Sequence, residues 1–120
     1  MTVNADELRK RTKAFAIRIV RLCRSLPNTS EARIIGNQLL RSGTSVGANY
    51  RAVCRARSRA DFISKIGIVV EEADETVFWL ELLVESGVMP ASAVTILIKE
   101  GNELLAIFGA SQLTAKQNVA

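Results

Sequence analysis

The feature that most constrains the fold of this 120-residue chain is an apolar residue at every third or fourth position through four successive segments. In the first segment this spacing runs from Leu8 through Phe15 to Leu26. It places one apolar stripe along an α-helix, and no segment alternates with the period of a strand. Since only Pro27 and Pro90 interrupt the chain as prolines, we predict an all-α protein.

Local signals place the ends of these helices. Pro27 ends the first helix, because the residue before a proline avoids the helical conformation. Ser58 followed by Asp61 is typical of a helix start, and Gly87 is typical of the position just after a helix end. The predicted helices span approximately 5–26, 30–56, 59–86 and 90–108. We therefore expect one domain over 1–110, an antiparallel up-down-up-down four-helix bundle, followed by a flexible tail over 111–120.

Three glycines lie inside the second predicted helix, at Gly36, Gly43 and Gly47. Each costs about 1 kcal/mol relative to alanine in a helix interior. Either the helix breaks near Gly43, or small residues are needed there so that another helix can approach closely. We favour close approach, because the apolar period continues through the segment without a phase jump.

Charge divides the chain into two halves. Residues 1–60 hold thirteen Lys and Arg against three acids, whereas residues 61–120 hold three Lys against nine acids, within a formal net charge of +4. Such a bundle can pair its own helices, or it can offer one sign to a polyanion and the other to a protein.

The turn at Ser58 fixes which residues of the second and third helices lie at the same height. Arg41 and Glu75 are each seventeen residues from Ser58. We therefore predict a structural ion pair of Arg41 with Glu75 or Glu72 and hydrogen bonds of Ser42 and Ser45 nearby, because a carboxylate near a core needs a partner. The alternative is that these side chains are solvated surface residues.

Basic residues concentrate at the end of the bundle that holds this same turn, because the first helix also starts there. Seven cations in one region would bind phosphates. The predicted nucleic-acid-binding residues are Arg9, Lys10, Lys13, Arg51, Arg55, Arg57 and Arg59. A solvated helical face with a charged turn is the alternative. Tyr50 is the only aromatic residue interleaved with these cations in the sequence, so we expect recognition by shape and charge rather than by base stacking.

Other classes of function are disfavoured by composition. The chain has no histidine, which removes the usual general base and the common zinc ligand. We predict no catalytic residue, no metal, no cofactor and no enzymatic activity. Cys23 and Cys54 lie far apart and are interpreted as buried, reduced thiols. With no signal peptide and no apolar run near the roughly 20 residues of a membrane span, we expect a cytoplasmic protein with no membrane partner.

Three stretches carry a family resemblance. Residues 38–50, QLLRSGTSVGANY, resemble a signature of bacterial four-helix-bundle proteins, and the resemblance continues through DFISKI at 61–66 and EEADETVFWLELL at 71–83. That family includes proteins encoded in 23S ribosomal RNA intervening sequences and the accessory variability determinants of diversity-generating retroelements. The resemblance covers most of the chain.

This resemblance implies an antiparallel four-helix protomer, a barrel-like homopentamer and a basic surface. For the retroelement members it implies binding to a reverse transcriptase and to nucleic acid. It supports structural roles for Arg41, Glu72 and Glu75, and it supports the basic surface as the binding surface.

Two hypotheses about function follow. The first is a non-enzymatic, oligomeric accessory protein that contacts RNA or DNA phosphates and that also has a reverse transcriptase as a partner. The alternative is a protein–protein assembly scaffold in which complementary charges act only between subunits.

Overall fold

The structure, a computed structural model, describes residues 4–118. These residues form four α-helices, α1 (Ala5–Arg24), α2 (Ser30–Val53), α3 (Arg59–Glu85) and α4 (Ala91–Gln117), and no strand. Each helix packs against the next, and α4 returns to α1, so that α1 and α3 lie diagonally across the bundle. The molecule is a rod of 52 × 24 × 21 Å. The predicted all-helical, four-helix fold is confirmed.

Side-chain caps start the first three helices. Asn4, Thr29 and Ser58 each accept a hydrogen bond from the backbone N–H three residues later, at 2.7, 3.2 and 3.0 Å. These bonds satisfy donors that have no partner inside the helix. The carboxylate of Asp61 accepts from the backbone N–H of Arg57 at 3.0 Å, and this bond is the main reason that the pKa of Asp61 is lowered.

The end of α4 differs from the prediction. A helix end near 108 and a flexible tail over 111–120 were expected, but α4 continues to Gln117. Gly109 lies inside the helix and does not end it. The physical reason is that the residues after Gly109 are mostly good helix formers. Gln112 in this extension packs against Gly67 of α3. Residues 119 and 120 lie outside the described part of the chain.

One apolar core runs through all four helices. Each helix contributes a fully buried side chain, such as Phe15, Leu39, Leu80 and Phe108, and these belong to one continuous cluster. Within residues 4–118, none of the helices combines the length and the hydrophobicity needed to cross a membrane.

The glycines of α2 allow α1 to approach closely. A Cβ atom at Gly43 would lie 2.8 Å from Cγ2 of Ile19, and one at Gly47 would lie 3.3 Å from the backbone oxygen of Thr12. The first distance is too short for two carbon atoms, since contacts between carbons are optimal at about 3.5–4.0 Å. The interpretation of these glycines as sites of close approach is confirmed, and α2 remains one continuous helix.

Candidate nucleic-acid interface

A groove between α1 and α2 collects basic side chains from both helices. Its volume is about 660 Å³. The cations that line it are Arg9, Lys10, Lys13 and Arg51. Its remaining lining is mostly small, namely Thr12, Ala16, Thr44, Gly47 and Ala48. Because the floor is made of short side chains, the longer cationic side chains stand around a concave surface.

The groove has a net positive charge. Asp6 is the one acid in its lining, and this carboxylate forms an ion pair with Arg9. Lys10, Lys13 and Arg51 form no ion pair with any residue of the described chain. Three cations therefore remain available to an anionic ligand.

The turn between α2 and α3 adjoins this end of α1. A second depression, of about 490 Å³, is lined by Ala5 of α1 together with Arg57 and Ser58 of the turn. Arg55 and Arg59 are exposed nearby in the sequence but line neither groove. Of the seven predicted binding residues, four thus share one groove, and Arg57 lies in the adjoining depression.

Tyr50 provides no platform for aromatic stacking in this region. Tyr50 is buried, and its ring packs against Phe108 with the ring centroids 5.2 Å apart. Burial raises the pKa of Tyr50 to about 12. A base would need an exposed aromatic face, and this ring faces the core.

The hydroxyl groups of the groove floor donate to their own helices. Thr12 donates to the carbonyl oxygen of Leu8 at 2.8 Å, and Thr44 donates to that of Leu40 at 2.7 Å. Sequence-specific recognition depends on hydrogen bonds to base edges. The floor directs no such donor outward, so its chemistry suits phosphates more than bases.

Arg41 links α2 to α3 away from this groove. Its guanidinium forms an ion pair with Glu75 and another with Glu72 at 3.4 Å. The indole N–H of Trp79 donates to the same Glu75 carboxylate at 3.1 Å. These distances agree with the register counted from the turn. Two carboxylates of one helix are thereby joined to one cation of its neighbour.

Ser42, next to this ion pair, is fully buried. Its hydroxyl oxygen accepts a hydrogen bond from Thr76 at 3.0 Å. The Ser42 hydroxyl donates in turn to the carbonyl oxygen of Leu39 at 3.4 Å. This short chain of hydrogen bonds satisfies two hydroxyls between α2 and α3 that would otherwise be costly to bury.

Sequence reasoning missed a second ion pair, which joins α1 to α4. Arg11 donates to Glu100 through Nη2 at 2.6 Å and through Nε at 3.2 Å, and Glu103 lies 3.7 Å away. The hydrogen bond to Glu100 is the main cause of the raised pKa of Arg11. The sequence signal for this pair was the two acidic residues at 100 and 103 of the last helix. The prediction, however, aligned only the second and third helices, across the turn at Ser58.

The two cysteines differ from each other. Cys23 is half-buried, lies 3.6 Å from the carbonyl oxygen of Gly36, and has its pKa raised to about 11 by burial. Cys54 is exposed, so the interpretation of both thiols as buried was wrong for Cys54, which follows α2 where the chain leaves the core. Within residues 4–118, no three Cys, Asp or Glu side chains converge to hold a metal ion.

Comparison with known proteins places the chain in a family. The sequence model described as "23S rRNA-intervening sequence protein" matches residues 6–110. The chain belongs to this family. A solved structure with the same fold is a protein of unknown function from the S23 ribosomal protein family of Bacteroides thetaiotaomicron, with a TM-score of 0.80 and 36% identity over 87% of this chain and 96% of that chain. No match was found among curated proteins.

Proposed function

We propose that this intervening-sequence family protein is a non-enzymatic, cytoplasmic accessory protein that binds RNA phosphates and acts as a homo-oligomer, with five copies as the expected number. The observation that supports this best is the groove between α1 and α2, where four cations meet one carboxylate. The name of the family favours RNA over DNA as the ligand.

The chemistry of the groove favours phosphate. Arg51 and Arg9 carry planar guanidinium groups that match two phosphate oxygens, and Lys10 and Lys13 add charge without a directional requirement. Arg55, Arg57 and Arg59 extend the same sign toward the tip of the rod. Each phosphate that is neutralised releases counterions, so affinity should depend steeply on salt.

A salt titration tests this proposal. Fluorescence anisotropy of a labelled, structured RNA should report binding at low salt that weakens linearly on a logarithmic plot. Arg51→Gln should lower the slope by roughly 0.7–0.9 for one lost phosphate contact. Arg33→Gln is the matched control, because Arg33 is also an exposed arginine of α2 but lies at its opposite end.

Two results would contradict RNA binding. One is the absence of any binding at low salt, and the other is an equal loss of affinity in the Arg51 and Arg33 variants. A labelled DNA duplex of the same length serves as the second arm of the titration. Tighter binding of that duplex than of the RNA would move the proposal to DNA.

An assembly scaffold is the second candidate, and it is favoured by the exposed acids of α3 that form no ion pair within residues 4–118, namely Glu71, Asp74, Glu81 and Glu85. The variant Arg55→Glu plus Arg57→Glu separates the two. If these charges act between subunits of a scaffold, the variant should no longer have the mass of the oligomer. If they bind RNA, the variant should keep that mass and lose its RNA affinity. A reverse transcriptase is proposed as a further partner, and co-purification with one encoded beside this gene tests that part.

A further inference from the structure

Two exposed stripes of opposite charge run along α1 and α3. The α1 stripe consists of Lys10, Lys13, Ile17, Arg21 and Arg24, and the α3 stripe consists of Glu71, Asp74, Phe78, Glu81 and Glu85. Successive members are three or four residues apart, so each stripe occupies one face of its helix. All ten side chains are exposed. Each stripe therefore presents four like charges around one large apolar side chain.

The charged side chains of both stripes are exposed and unpaired within the described chain. None of the eight charged members forms an ion pair there. Like charges three or four residues apart on a helix repel one another. An opposite stripe would relieve this repulsion on both sides at once.

The two stripes do not meet inside one molecule, because they lie on exposed faces of two helices that are diagonally opposite in the bundle. They nevertheless lie at the same height along the rod. The ring of Phe15 on α1 and the side chain of Val77 on α3 both approach Gly101 of α4. Ile17 follows Phe15 by two residues, and Phe78 follows Val77 by one.

The packing through α2 also sets the height of α1 against α3. Ile19 of α1 lies against Gly43 of α2, and the preceding residue, Ser42, is hydrogen-bonded to Thr76 of α3. Counted along the antiparallel α2, Ile17 is level with about Ala73, whereas the contacts at Gly101 place it nearer Phe78, so by either route Ile17 lies within the span of the α3 stripe. Since α1 and α3 run in the same direction, the order of charges along the rod also agrees.

We propose that the α1 stripe of one copy docks against the α3 stripe of a second copy, with the two helices parallel and Ile17 against Phe78. This inference rests on the assembly part of the proposed function and names the surfaces that make the assembly. The contact joins two different surfaces, so a pair keeps one free acidic stripe on one copy and one free basic stripe on the other. Contacts of this kind repeat from copy to copy and close into a ring when the rotation allows.

The apolar centre gives this contact its anchor. Ile17 is 44% exposed and Phe78 is 53% exposed in the single chain. The Phe78 ring packs edge-on against Trp79, with centroids 4.9 Å apart and an angle of 76° between the rings. An apolar centre surrounded by charged side chains is the usual arrangement of a protein–protein interface.

Charge exchange between the stripes tests the contact. Light scattering measures the mass of the wild-type chain, of Arg21→Glu plus Arg24→Glu, of Glu81→Lys plus Glu85→Lys, and of the chain with all four substitutions. Each double variant should fall to the 13.1 kDa of one protomer. The chain with all four should regain the wild-type mass, because both signs are exchanged. Lys10 and Lys13 belong to both the α1 stripe and the RNA groove, so in the docked copy the groove keeps Arg9 and Arg51 for phosphates, and these two lysines are left intact in the test.

The control is Lys99→Glu plus Lys116→Glu, two exposed lysines of α4 outside both stripes, and it should keep the wild-type mass. Circular dichroism checks that each variant is helical. If a double variant loses helix, Phe78→Ser, which leaves every charge in place, must lower the mass by itself.

The outcomes separate this contact from the rest of the proposed function. A wild-type mass of one protomer overturns both the contact and the assembly. An oligomeric wild type whose mass is unchanged in the double variants, or not restored by all four substitutions, overturns the contact alone. RNA binding at low salt should persist in both double variants, and its absence in the wild type would contradict the RNA proposal only.

Discussion

Arginines have two different uses in this chain, and the position of each side chain decides which one applies. Arg41 and Arg11 lie at contacts between helices, where each is held by two carboxylates of the facing helix. The planar guanidinium suits such sites, because it donates along several directions at once. Arg51 and Arg57 lie where no carboxylate faces them within ion-pair distance in the described chain, so their charge remains available to a ligand.

The two thiols should react with iodoacetamide at different rates. Cys23 is half-buried, and its pKa is raised to about 11, so little of it is thiolate at pH 8 and its reaction should accelerate up to about that pKa. Cys54 is exposed and should be modified first. Mass spectrometry of digested protein, with Cys54→Ser and Cys23→Ser as controls, measures each rate. Faster modification of Cys23 at pH 8 would contradict this assignment of burial.

At the scale of the helix, glycines decide how closely two elements pack. Gly43 and Gly47 let α2 lie against Ile19 and Thr12 of α1. Gly109 has an open position where a Cβ atom would stand, although it is also inside a helix. The same residue type therefore has opposite consequences in α2 and α4.

Alanine substitutions at Gly43 and Gly109 should change the free energy of unfolding in opposite directions. Gly43→Ala should destabilise the fold by about 1 kcal/mol or more, because overpacking against the buried Ile19 costs about 1–3 kcal/mol and exceeds the gain in helix propensity. Gly109→Ala should stabilise it by about 0.5–1 kcal/mol. Urea unfolding measures both. Stabilisation by Gly43→Ala would show that the close contact can relax at little cost.

Most of the fold was predictable because strong local signals mark it. Pro27, Ser58 and Gly87 ended or started helices as expected, and Gly87 has the positive φ of 78° that favours glycine. The continuation past Gly109 was not predictable, because a glycine in a helix and a glycine at its end look alike in a sequence. Side-chain position around α1 was also hidden, since Arg11 and the groove residue Arg9 belong to one basic run and their roles depend on packing against α4 and α2.

At the scale of the whole molecule, a single core makes the four helices depend on one another. The buried cluster includes residues from every helix, while the helices α1 and α4 close the bundle through Arg11 and Glu100. A small domain with one core usually unfolds in one step. Loss of packing at any height of the rod should therefore affect all four helices together.

Leu39→Ala should lower the stability of the whole bundle in one transition. Leu39 is fully buried, and such a truncation typically costs about 2–5 kcal/mol. The single tryptophan, Trp79, reports on α3 by fluorescence, while circular dichroism reports on all helices. The two urea transitions should coincide and should move to lower urea by the same amount. Separate midpoints would show that α2 and α3 unfold as independent units.

The inward-donating hydroxyls of Thr12 and Thr44 have a consequence for what the protein could do in a cell. If the groove binds RNA phosphates and makes no contact with base edges, it should bind RNAs of different sequence with similar affinity. Which RNA is bound would then depend on the local concentration of each RNA, so the site of synthesis of the chain would matter more than any target sequence.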